Sequence, residues 1–230
     1  MSNTYSKYWL VLGGVAFLTI GIVALLSKSK KKKLQTKSTD NVPSSFKQTA
    51  INLANTEWNK WNKNGVRLKE GAKDTLQDLR NYWEQGAGVK QNDNYYIKEA
   101  WSASFISYIM KQAGAGDNFK YSASHSVYIA DSVKNRKENN NKKFKGYKPD
   151  EVNVELGDLV CYPRQAGVTY DSKSGYKSHC DLVTEINGDV AVAIGGNVSD
   201  SVTKKNYYLS NGKIDKSRSK DVFVVIKNLM

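Results

Sequence analysis

The stretch EAWSASFISYIM, residues 99–110, places Ser102 directly after a tryptophan at the start of an apolar helical pattern. A hydroxyl in the first turn of a helix lies beside unpaired backbone N–H groups and the positive end of the helix dipole. There it can act as a nucleophile whose developing oxyanion is received by those amides, provided that a base takes its proton during attack. The chain has two histidines, His125 and His179, so any imidazole-dependent step must use one of them. Imidazole, with an unperturbed pKa of about 6.5, suits the task. His179 opens the strand pattern HCDLVTEI (179–186) after the loop DSKSGYKS, where a sheet would hold it at the mouth of a pocket. The next strand pattern, DVAVAIGG (189–196), runs into Asn197 at the corresponding rim. Ser102, His179 and Asn197 are therefore expected to converge as nucleophile, base and orienting amide if the Ser102 helix packs on that sheet. The plainer alternative makes Ser102 a helix-packing serine and His179 an ordinary strand-end residue.

Other residues near this set have two readings each. Asp181 shares a strand face with His179 but ranks behind Asn197, because neighbours two apart on one strand seldom curl back to bond. His125, in SASHSVYIA, either lines the substrate cleft from the other side or simply occupies the first turn of a helix capped by Ser124. Arg164, just after Pro163, can grip a substrate carboxylate through two N–H groups or stand as a surface charge. Trp101, beside the nucleophile, is counted with the substrate-binding residues, although the five tryptophans as a set sit at helical spacing and read as core. Cys180 points to the sheet face opposite His179, which argues against a Cys180–His179 pair and against a zinc site using both. Cys161 is a backup nucleophile or, more simply, a packed thiol. A bridge between the two cysteines stays open. The chemistry envisaged needs no metal and no organic cofactor.

The elements that must position these groups follow from periodicity. Phe46, Ala50, Leu53 and the Trp58/Trp61 pair form a helical stripe that stops near Gly65, and Leu76, Leu79 and Trp83 form a second over roughly 72–85. GVKQNDNYYIK then reads as a loop. The Ser102 helix buries Trp101, Phe105, Ile106, Ile109 and Ala113 and is stopped by GAG at 114–116, and another helix starts near Ser124. Beyond Gly146 the pattern becomes strands: GDLVCY (157–162), 179–186, 189–196 and DVFVVIKNL (221–229), with Asn187-Gly188 as a hairpin turn. Helices first and an antiparallel meander second predict an α+β domain over residues 46–230 with one core.

Ahead of it, after a short tail (1–7), residues 8–26 carry no charge. As a helix they would span roughly 28 Å, matching a bilayer core of ~30 Å. ALLSKSKKKK is a poor cleavage site, so the expectation is an uncleaved single-pass anchor in a bacterial inner membrane or a virion membrane. The tether, 27–45, carries Lys28, Lys30, Lys31, Lys32, Lys33 and Lys37, a cluster suited to anionic lipid head groups. By the positive-inside tendency it favours the cytoplasmic side for the domain, and the side stays open. The formal charge is +13. Outside this cluster the remaining excess is diffuse and lacks interleaved aromatics, so no specific nucleic-acid motif is present, whereas an anionic polymer or membrane suits it.

AWSASFISYIMKQAGAG, YSASHSVYI, GDLVCYPR, SHCDLVTEI and IGGNVSDSV, in that order, resemble the family called domain of unknown function 2272. That family is similar to the NlpC and CHAP groups of papain-like cell-wall amidases and peptidases. The resemblance spans roughly residues 46 to 228 and implies a papain-like fold, N-terminal helices on an antiparallel sheet, acting on peptidoglycan or a similar peptide as a lytic hydrolase. Carried over by residue, Ser102 takes the nucleophile position, His179 the base and Asn197 the third place. Related domains often have tryptophan-cysteine where this chain has Trp101-Ser102. A thiol is the better nucleophile, so Ser102 belongs either to a serine hydrolase or to a domain that binds glycan-peptide without cutting it.

Overall fold

A computed structural model describes residues 44–230. The expected membrane span at 8–26, the tail before it and all but the last two residues of the tether lie outside the described residues, among which no helix is long and apolar enough to cross a membrane. Ser44 accepts a hydrogen bond from the Lys47 amide and starts α1 (Ser45–Trp61), whose buried face carries Phe46, Ala50, Ile51, Ala54 and Trp61 at three- and four-residue steps. A two-stranded hairpin, β1 (Asn62–Lys63) and β2 (Val66–Arg67), follows. Then α2 (Leu76–Asn81) runs straight into a π-helical turn, Tyr82–Ala87. The segment read as a loop contains α3 (Asp93–Lys98), a short helix capped by the Asn92 side chain on the Tyr95 amide. The two helices that matter most for the site are α4 (Ser102–Gln112) and α5 (His125–Lys137).

The remaining chain builds a curled antiparallel sheet from β3 (Phe144–Tyr147), β4 (Leu159–Pro163), β5 (Ser178–Asn187), β6 (Val190–Gly195), β7 (Thr203–Ser210), β8 (Lys213–Ile214) and β9 (Val224–Asn228). Its order is β3-β9-β4-β5-β6-β7-β8. The expected meander holds from β4 to β6 and continues through β7 and β8, which the sequence pattern did not mark, while the last strand returns to lie between β3 and β4. Every residue of β9 is buried, as a central strand requires. Buried Asp158, just before β4, fastens it by accepting from the Asn228 amide at 3.0 Å and Lys227 Nζ at 2.6 Å.

The sheet has two apolar faces. Cys161, Cys180, Leu182, Ile194, Val224 and Ile226 meet the helices, where Trp61, Tyr82, Trp101, Phe105 and Ile109 fill the core. On the other face Val160, Val183, Ala191, Ala193, Tyr207 and Val225 pack inside the curl. Cys161 lies directly opposite Cys180 in the β4–β5 register, with Cα atoms 4.1 Å apart, and the two are disulfide-bonded. This corrects the packed-thiol reading: cross-strand neighbours share a face and stand close enough to bond. It also removes Cys161 as a backup nucleophile.

Candidate active site

Ser102 is the first residue of α4 and is buried. The preceding Trp101 offers no side-chain cap. The first intrahelical bond runs from the Phe105 amide to the Trp101 carbonyl at 2.9 Å, and no described residue accepts from the amides of Ser102, Ala103 or Ser104. These three N–H groups are thus left for a ligand or solvent. Trp101 does not serve the substrate as expected. It is fully buried, its ring lies 5.0 Å from that of Trp61 and 5.5 Å from that of Tyr82, and its indole N–H donates to Glu70 at 2.6 Å. Packed in this way, it anchors the helix start and has no exposed surface left for a ligand.

The imidazole on Ser102 is that of His125. Ser107 on α4 ties down the chain ahead of α5 reciprocally: its hydroxyl accepts from the Ser122 amide at 3.0 Å and donates to the Ser122 carbonyl at 2.8 Å. That pin brings His125, the first residue of α5, to 2.7 Å between its Nε2 and Ser102 Oγ. His125 therefore sits in a helix's first turn and also lines the cleft, but the expected Ser124 cap is not made, its hydroxyl pairing with that of Ser126 instead. Its Nδ1 meets the Tyr128 hydroxyl, one turn further along the helix. Burial, reinforced by the neighbouring His179 and Arg164, holds His125 well below the ordinary imidazole value of 6.5, so the ring is neutral. Burial likewise pushes the Tyr128 phenol well above 10. In the tautomer whose Nδ1–H donates to Tyr128, the lone pair on Nε2 faces the Ser102 hydroxyl.

His179 is placed differently. Its ring is 5.0 Å from that of His125, but Nδ1 accepts from Arg164 Nη2 at 2.9 Å and Nε2–H donates to Asp181 Oδ1 at 2.7 Å. The second oxygen of Asp181 accepts from the Tyr207 hydroxyl. Both ring nitrogens are engaged, so His179 has no lone pair for the Ser102 proton. Burial opposes the Asp181 carboxylate, yet His179, Tyr207 and Lys205 outweigh it and hold its pKa below the ordinary 3.8.

Asn197 stands beyond β6 with φ 53°, and no described hydrogen bond joins it to either histidine. The orienting position belongs to Asp181. Its contact with a histidine two residues away is possible because Gly195 leaves the space above the strand empty. A Cβ there would lie 1.8 Å from Asp181 Oδ1 and 2.8 Å from His179 Nε2. Gly196 is equally constrained, with a Cβ falling 2.7 Å from Phe105 and Trp101. The paired glycines of IGGN were the signal for this packing.

Ser102, His125 and Arg164 open onto one cleft of about 360 Å³, lined also by Ala103, Tyr176, Lys177 and Ser178. The Tyr176 and Ser178 hydroxyls are buried without partners among the described residues. The cleft thus joins a nucleophile–base pair, free amides at a helix start and an arginine. Among the described residues no group of three or more His, Cys, Asp or Glu side chains is arranged to hold a metal ion.

No curated protein and no solved structure matches the chain. The family described as "Uncharacterized protein conserved in bacteria (DUF2272)" matches residues 57–224, most of the described domain and the whole of the Ser102 cleft, and this chain belongs to it.

Proposed function

We propose that this domain hydrolyses an amide bond in peptidoglycan or a similar peptide, on a papain-like scaffold of the NlpC/CHAP kind held at a membrane by residues 8–26 and the lysines that follow. The observation that carries this reading is the 2.7 Å contact between Ser102 Oγ and His125 Nε2 beside an uncapped helix start. Ser102 attacks the carbonyl carbon while its proton passes to His125 Nε2. The tetrahedral oxyanion accepts hydrogen bonds from the first-turn amides of α4. The imidazolium then protonates the leaving amine, and water repeats the sequence on the acyl-serine. Arg164 holds a substrate carboxylate with the donors that it does not direct to His179. No metal or organic cofactor takes part.

The Cys161–Cys180 bridge supports a domain in an oxidising compartment, facing the cell wall, against the opposite tendency of the lysine run. A bacterial inner membrane with the domain outside, or a virion membrane that delivers it, fits that placement. Protease protection on intact cells tests the side.

Purified cell-wall sacculi incubated with the full-length chain test the reaction. Soluble fragments are expected from the parent and not from Ser102→Ala or His125→Ala. Equal release by all three, or by none, overturns the hydrolase. A second reading, binding without cleavage, draws on one specific feature: the carboxylate stands behind His179, so a positive charge on His125 would form beside Arg164 with only a neutral phenol for support. In that case the protein sediments with sacculi, releases nothing, and is unaffected by Ser102→Ala.

A further inference from the structure

The sheet carries a second cavity beside the first. It measures about 270 Å³ and is lined by Tyr162, Lys205, Tyr207, Arg218, Lys220 and Asp221, among others. Lys205, Arg218, Lys220 and Asp221 are thus all among its lining residues, three cationic side chains to one carboxylate, and none of the four forms an ion pair with any described residue. Lys205 Nζ lies 4.0 Å from the centre of the Tyr162 ring and 4.8 Å from that of Tyr207, and Arg218 is 3.5 Å from the centre of the Tyr208 ring. Aromatic faces hold such cations in place without neutralising them. The cavity lies close to the Ser102 cleft, with His179 between them. Tyr162, on its wall, has its ring 5.2 Å from that of His179, and Arg164, two residues further along the chain, lines the cleft itself.

We propose that this second cavity is an oxyanion subsite, taking a carboxylate or phosphoryl group of the polymer whose scissile bond lies at Ser102. It rests on the hydrolase reading for the identity of that polymer, but not for the binding of the anion. A net positive cavity of this size takes one anionic group, whose oxygens meet Lys205, Arg218 and Lys220 as charge-assisted acceptors. A nucleobase is disfavoured, because Lys205 already occupies the faces of Tyr162 and Tyr207 on which it would stack. An anionic group there and a carboxylate at Arg164 would grip the substrate on both sides of the His179 partition.

The test is calorimetric titration of the full-length chain with inorganic phosphate and, separately, with acetate at constant ionic strength, with tyrosine difference absorbance as a second readout. Saturable binding at one site is expected, weakened roughly tenfold by Lys205→Gln and by Arg218→Gln, the worth of one charge-assisted hydrogen bond. Lys220→Gln, on an exposed loop, is a third variant whose folding is not at risk. Tighter binding of phosphate identifies a phosphoryl source, and equal or tighter binding of acetate a carboxylate. Absence of saturable binding by both anions overturns the subsite. So does binding indifferent to all three variants, or binding abolished by neutralising Lys30 to Lys33. Ser102→Ala should leave anion binding intact, so a failure of the sacculus assay and a failure of this one are distinguishable.

Discussion

Two imidazoles 5.0 Å apart are surrounded in opposite ways. His125 is bonded only to hydroxyls, those of Ser102 and Tyr128, whereas His179 lies between an arginine and a buried aspartate. Charged partners fix a ring's tautomer and orientation but consume both nitrogens. Hydroxyl partners leave one lone pair free for proton transfer, at the cost of weak support for the resulting imidazolium. The ring that resembles a catalytic histidine by its aspartate is thus the one with no acceptor to offer. The plainly furnished ring is the one that can act.

The sharpest way to break this contrast is to remove each ring in turn. His125→Ala should lower fragment release by about 10²–10⁴-fold, the usual worth of a general base. His179→Ala should lower it by far less while destabilising the fold in a denaturant titration. The reverse ranking would transfer the role of base to His179. Next in size is the disulfide, which sits between His179 and Asp181 in sequence and closes a separation of 19 residues. Replacing both cysteines by alanine should cost ~3 kcal/mol, measured as a shift in urea midpoint that reductant reproduces in the parent chain. A smaller loss, about 1–3 kcal/mol from forced repacking, is expected for Gly195→Ala, whose new methyl group displaces Asp181. It should disturb His179 and leave the Ser102–His125 distance intact, which a crystal structure of the variant would check.

The smallest effect is on pH. Burial, His179 and Arg164 all disfavour a charged His125, so the acid limb of kcat/KM should lie below 6.5, and Arg164→Gln should move it slightly upward. Because the folded state holds this proton less readily than the unfolded chain, the contribution to stability is present above 6.5 and is lost as pH falls below it. His125→Gln should flatten that part of the stability curve.

Much of the scaffold was legible. The apolar spacing and Gly stops located α1 and α4, the serine-rich stretch before His125 marked only the start of α5, and valine-rich runs located β4, β5, β6 and β9. β7 was not, because TKKNYYLS has exposed lysines and an asparagine in place of an apolar alternation. The position of β9 was hidden too, since strand order depends on long-range closure that local pattern does not encode. Ser102 and Arg164 were found by type and position. The choice between the two histidines was not decidable, because it turns on the Ser107–Ser122 pin, a contact between a helix and a loop made by serines with no distinguishing neighbours. Asp181 ranks behind Asn197 by a sound rule about strands, which Gly195 suspends by having no side chain.

The bridge between β4 and β5 also acts as a ruler for strand alignment. Side chains alternate along a strand, so a one-residue slip would turn Cys180 away from Cys161 and carry His179 and Asp181 to the helix side of the sheet. Only the pairing that seats those two polar residues correctly lets the sulfurs join. Oxidation therefore selects the properly threaded chain and makes that choice covalent.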